Sequence, residues 1–234
     1  MINWKYYKKL VLSYRIILGL FTWAILILMF VRTALTKPDA LSGFIAGITS
    51  YRYYTMQTNL LAAIWLTCAV IFHSNFERLK KIEGVFKGAI TIYILITFLG
   101  FAIMLSSLYT PTTPYGITTN IAIHYVIPIA FFVDWFFIIS KIEYKFVYLP
   151  IWIIYPILYV IWSVINGKFL GSYLYPFLDP DALGLGYYFL SLGILIAVFL
   201  VLGTTLILIR RAIYRSFKPS DENAVKSEEE LETT

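Results

Sequence analysis

The sequence predicts an all-α, polytopic membrane protein with six transmembrane helices and both termini in the cytoplasm. Three observations carry this. Of the 234 residues 60% are hydrophobic and 14% charged, with a mean hydropathy of +0.77, whereas soluble chains carry about 25% charged residues. Six apolar runs have the length of about 20 residues that crosses a hydrocarbon core of roughly 30 Å. Lysine and arginine gather on one side of those runs, as they do on cytoplasmic faces.

The first run, 10–31, follows the basic segment "MINWKYYKK". It is longer than the 7 to 15 apolar residues of a signal core, and no small-x-small cleavage site follows, so it reads as a retained span. The next piece, "ALSGFIAGI", is too short to cross and reads as an interfacial or re-entrant segment. The second run, 53–72, is entered through the polar stretch "RYYTMQTN". The third and fourth, 87–108 and 120–140, are joined by the turn-rich "YTPTTPYGITTN". The fifth and sixth, 148–166 and 187–209, are joined by "GKFLGSYLYPFLDPDALGLGYY", in which Asp179 before Pro180 reads as a turn cap. Residues 1–218 form the membrane domain; 219–234, with six acids and one lysine after Pro219, read as a disordered acidic cytoplasmic tail. Continuous apolar runs exclude a β-barrel, whose strands alternate.

Fourteen of the 19 basic residues fall at the N-terminus (Lys5, Lys8, Lys9), after the second run (Arg78, Lys80, Lys81, Lys87), after the fourth (Lys141, Lys145) and after the sixth (Arg210, Arg211, Arg215, Lys218, Lys226). The opposite face has Arg32, Lys37, Arg52 and Lys168. The net charge of +6 therefore flanks a membrane and does not point to nucleic acid. Cys68 is the only cysteine, which excludes an intramolecular disulfide.

Ionisable groups at membrane depth are few: Arg15, His124 and Asp134. Arg15 and Asp134 both lie roughly 8–9 Å from the cytoplasmic end of their runs and are expected to pair across helices; the alternative is a proton or ion path. His124 lies roughly 6 Å, and Thr55 roughly 3–4 Å, inside the opposite end. Thr58 and Asn59 share the helix face of Thr55, and Asn120 shares that of His124. Where two such faces meet, an imidazole can take the proton of a hydroxyl and amide donors can steady an oxyanion. The plainer alternative is a capping threonine and a histidine bonded across helices. No Cys, Asp, Glu or second His stands near His124 at ligand spacing, so no metal site is expected; His73 belongs to the opposite face.

The stretches "YYTMQTNLL", "HYVIPIAFFVDW", "YPILYVIWSVINGKF" and "YPFLD" resemble the bacterial six-span Pr-six-Pr family, which is similar in turn to the eukaryotic androgen-induced family. The resemblance runs over about residues 14–211. Eukaryotic members are intramembrane threonine hydrolases of fatty-acid esters of hydroxy fatty acids. The resemblance implies Thr55 as nucleophile and His124 as base, with membrane lipid as partner, an acyl ester as substrate and no cofactor. The expected location is the cell membrane. A transporter or lipid-binding bundle lined by Thr55, Asn59 and His124 is the alternative, kept open by Pro128, Pro150 and Pro156 in or beside the fourth and fifth runs.

Overall fold

The computed structural model describes residues 4–73, 82–137 and 142–217. The acidic tail, Lys218, Lys226 and the loop cations Arg78, Lys80, Lys81 and Lys141 lie outside the described residues. Within them the chain is helical, with no strand. The helices are α1 (Trp4–Ala34), α2 (Ala40–Thr49), α3 (Tyr54–Ile71), α4 (Glu83–Leu105), α5 (Pro114–Phe137), α6 (Tyr148–Leu170) and α7 (Pro180–Phe217). All except α2 are long and apolar enough to cross a membrane, so this is a multi-pass membrane protein with six spans.

The spans overlap the six apolar runs, but their ends move. Helix α4 begins at Glu83 rather than 87, α5 at Pro114 rather than 120, and α7 extends from Pro180 across a kink at Gly184. Gly184 has a φ of 74°, a conformation open to glycine at no steric cost. Asp179 accepts from the backbone N–H of Asp181 and Ala182, both at 2.9 Å, and so caps the start of α7.

One core cluster joins α1, α3, α4 and α5 around Leu26, Leu66, Ile94, Ile127 and Phe131. A second joins α4 to α7 around Trp135, Tyr144, Trp152 and Ile207. Prolines inside spans free carbonyls, and side chains from neighbouring helices take them up. Pro156 has no N–H to offer the Trp152 carbonyl four residues back, and the Tyr93 hydroxyl donates to it at 2.6 Å.

Three π turns interrupt the α geometry: Glu83–Lys87 and Phe101–Leu105 in α4, and Ala122–Val126 in α5. In α5 the Ile127 N–H reaches back to Ala122, and Pro128 has no N–H, so the Ile123 carbonyl has no backbone donor. The Asn59 amide fills that vacancy from α3 at 3.1 Å.

The first of these π turns, Glu83–Lys87, places Lys87, fully buried, at a cluster of charges. Its Nζ lies 2.7 Å from Asp134 Oδ2 and 3.5 Å from Glu83 Oε1. Arg15 Nε lies 2.8 Å from Asp134 Oδ1. Arg210 is buried beside them, donating to the Trp135 carbonyl with its guanidinium 4.8 Å from the Trp135 ring. This corrects the sequence expectation for two cations: Lys87 and Arg210 do not flank the membrane domain as solvated charges but are built into it. The cluster ties α1, α4 and α5 at the end of the bundle away from Thr55.

Candidate active site

Helix α3 starts abruptly. Tyr53 stands in the N-cap position with extended backbone and no side-chain cap, so the first N–H groups of α3 need acceptors from elsewhere. Two phenols supply them: Tyr54 N–H donates to the hydroxyls of Tyr159 and Tyr175, both at 3.0 Å. Tyr159 in turn donates to the Arg52 carbonyl. Thr55 therefore sits in the first turn of a helix whose N-terminus is covered by tyrosines from α6 and from the segment leading to α7.

Thr55 Oγ1 lies 3.4 Å from His124 Nε2, both side chains being buried. The other imidazole nitrogen, Nδ1, faces two oxygens of Asn120, the carbonyl at 3.1 Å and Oδ1 at 2.9 Å. Both are acceptors, so Nδ1 carries the proton and Nε2 presents its lone pair to the threonine. Phe101, at the start of the outer π turn of α4, stacks on the imidazole with 3.7 Å between ring centres and 11° between planes. The ring is thus fixed in position by its Asn120 bonds and in plane by Phe101. This hydroxyl, imidazole and amide oxygen share the logic of nucleophile, base and orienting group.

The remaining residues expected at the site have other work. Both amide hydrogens of Asn59 are engaged, one by the Thr55 carbonyl at 2.7 Å and one by Ile123, so Asn59 is no oxyanion donor but a clamp between α3 and α5. Thr58 is fully buried and bonds the Thr55 carbonyl and the Thr97 hydroxyl, which clamps α3 to α4. Asn120 turns its carbonyl oxygens to His124 and orients the base rather than an oxyanion. Arg15 and Asp134 meet, far from Thr55, in the charge cluster.

One residue at the site carried no sequence signal of its own. Tyr175, in "YPFLD", is buried against the start of α3, where its hydroxyl accepts from the Tyr54 N–H, next to Thr55 in sequence and on the wall of the same cavity. Burial raises its pKa above the usual phenol value, so it stays a neutral donor. Only the fold of the 171–179 connection brings it to Thr55, and the motif resemblance was the one hint.

Thr55, Tyr54 and Tyr175 stand at one edge of a cavity of about 580 Å³ between α4, α6 and α7. Apart from Thr97, Tyr159 and Tyr188 the rest of its wall is apolar, including Ile157, Ile161, Phe189 and Ile196, which are also exposed on the isolated chain. The cavity thus communicates with the surface that lipid would cover. Among the described residues no group of three or more His, Cys, Asp or Glu is placed to hold a metal ion.

Fold and site together define a six-span helical membrane protein with a threonine–histidine pair inside the bundle, at the mouth of an apolar cavity. Over 120 residues it is 36% identical to uncharacterized protein MG452 of Mycoplasma genitalium, a match that takes in 47% of this chain and 44% of the relative, so the chain spans less than half the length of that protein. No family model matches the chain. No solved structure matches it.

Proposed function

We propose that this protein is an intramembrane hydrolase of acyl-ester lipids in the cell membrane, with Thr55 as nucleophile. The observation that carries the reading is the approach of Thr55 Oγ1 to within 3.4 Å of the unprotonated nitrogen of His124, beside an apolar cavity. A resting distance at the long end of hydrogen bonding is usual before substrate tightens a site. The motif resemblance to the Pr-six-Pr and androgen-induced families points to the same two residues.

In the first half-reaction the acyl chain occupies the cavity and the ester carbonyl meets Thr55. Thr55 Oγ forms a bond to the carbonyl carbon while His124 Nε2 takes the hydroxyl proton. Negative charge on the carbonyl oxygen is met by the Tyr175 hydroxyl and the positive end of α3. The bond to the alcohol oxygen then breaks, and His124 returns its proton to that oxygen. Water repeats the sequence on the acyl-threonine, releasing the carboxylic acid and restoring Thr55.

The test is hydrolysis of acyl esters, and labelling by a fluorophosphonate, with purified protein beside Thr55→Ala and His124→Ala. Both variants are expected to fall by about 10²- to 10⁴-fold, the contribution of a positioned base and its nucleophile. Wild-type protein that neither hydrolyses nor labels above the variants refutes the reading. A lipid-binding or transport bundle is the second reading, favoured by the same lipid-facing cavity. It predicts lipid bound with unchanged affinity in Thr55→Ala and no ester cleaved by any form.

A further inference from the structure

We propose that a second cleft at the Thr55 end of the bundle binds a glycerophosphate group. The cleft, about 580 Å³, lies between the end of α1, one face of α2 and the turn Ser50–Arg52 that leads into α3. Two cations line it, Lys37 and Arg52, which come from opposite sides of α2 in the sequence. They are two of only four basic residues assigned to this face by the sequence. Neither is bridged to a carboxylate among the described residues. The nearby Asp39 is engaged in capping α2, accepting from the N–H of the cleft residue Ser42 at 2.9 Å and from its hydroxyl.

The other polar groups of the cleft fix what accompanies the anion. Thr33, Thr36, Thr49 and Ser50 donate their hydroxyl protons to backbone carbonyls three or four residues back at 2.7–2.8 Å, and Ser42 donates its own to Asp39. What they leave for a ligand is oxygen lone pairs. A partner that fits the whole cleft therefore brings negative charge for Lys37 and Arg52 and hydroxyl donors for the threonines. Phosphate with an attached polyol has both, and phosphate suits the planar fork of arginine.

Depth agrees with a lipid source. The face of α2 formed by Leu41, Phe44 and Ile48 is exposed, the pattern of a helix lying at the boundary between headgroups and acyl chains. Arg52 is held 5.5 Å over the Tyr53 ring, and Tyr53 packs edge-on against Tyr175. The cleft and the Thr55 cavity are thus two sides of one wall. The proposal stands on the cleft alone and does not require hydrolysis.

The experiment measures ligand affinity of the full chain in neutral detergent micelles, by native mass spectrometry. Phosphatidylglycerol, diacylglycerol and soluble glycerol 3-phosphate are the probes. Phosphatidylglycerol is expected to bind at least about tenfold tighter than diacylglycerol, and Lys37→Gln with Arg52→Gln to remove that difference. Lys37→Arg with Arg52→Lys is expected to restore it. Lys168→Gln, a charge change at the same end, is expected to leave it intact. Competition by glycerol 3-phosphate at matched concentration supports the site with a soluble ligand, and its failure to compete supports the lipid. An unchanged preference in the double glutamine variant, or an equal loss in Lys168→Gln, overturns the proposal.

Discussion

Replacing Asp134 by asparagine keeps the size of the side chain but removes the charge on which two buried cations close. Asp134 is fully buried, as is Lys87, and Arg15 is 5% exposed. Arg15 approaches one carboxylate oxygen at 2.8 Å and Lys87 the other at 2.7 Å, while the second carboxylate near Lys87, Glu83, stands at 3.5 Å. Breaking a buried pair by removing one partner costs about 3–5 kcal/mol. The upper part of that range is expected, because both cations lose the same acid and Glu83 is placed to compensate only one. Arg15→Met leaves Asp134 with Lys87 and should cost less, about 1–3 kcal/mol. Unfolding by SDS titration from mixed micelles, followed by tryptophan fluorescence, measures both. An Asp134→Asn protein within about 1 kcal/mol of wild type, or no less stable than Arg15→Met, would refute the reasoning that the cluster holds α1, α4 and α5 together.

Three further outcomes are expected. Tyr175→Phe removes the hydroxyl facing Thr55 and should lower kcat on an acyl ester by about 10²-fold with little change in KM, as for other lost oxyanion donors; equal kcat values would exclude that role. Gly88→Ala puts a Cβ 2.4 Å from the Trp152 ring and 2.9 Å from that of Tyr144, so an overpacking cost of about 1–3 kcal/mol should appear in the same SDS titration. The pKa of Asp39 is held below the usual carboxylate value by its hydrogen bonds to Ser42, so its capping of α2 is complete above the ordinary carboxylate pKa and is lost as pH falls through the lowered one. Protection of the Ser42 amide, its exchange rate compared with that of an unstructured amide at the same pH, should fall on acidification in wild type and be insensitive to that change in Asp39→Asn.

Length and hydropathy made the six spans legible, because crossing a membrane imposes about 20 apolar residues whatever the packing. Depth counting also put Thr55 and His124 at one level. Nothing in the sequence said that their faces meet, since periodicity gives the faces of a helix but not its neighbours. Lys87 and Arg210 were misread for a related reason. A cation at the end of an apolar run looks like a membrane flank, and only the fold reveals that Asp134 and Trp135 wait for it inside. Glu83, four residues before Lys87, was the available hint of a buried pair. The engagement of both Asn59 hydrogens was illegible too, because it depends on a carbonyl freed by a π turn that an apolar string such as "NIAIHYVIP" does not announce.

That π turn makes α5 sensitive to length in a way its composition hides. It takes up one residue more than an α turn, so everything beyond it is displaced by about 100° around the axis relative to an uninterrupted helix. His124 lies within the turn and Asp134 beyond it. The His124 face and the charge cluster are therefore phased against each other by a single inserted residue. Apolar substitutions between them can leave that phase intact, whereas deleting one residue there can satisfy His124 or Asp134 but not both.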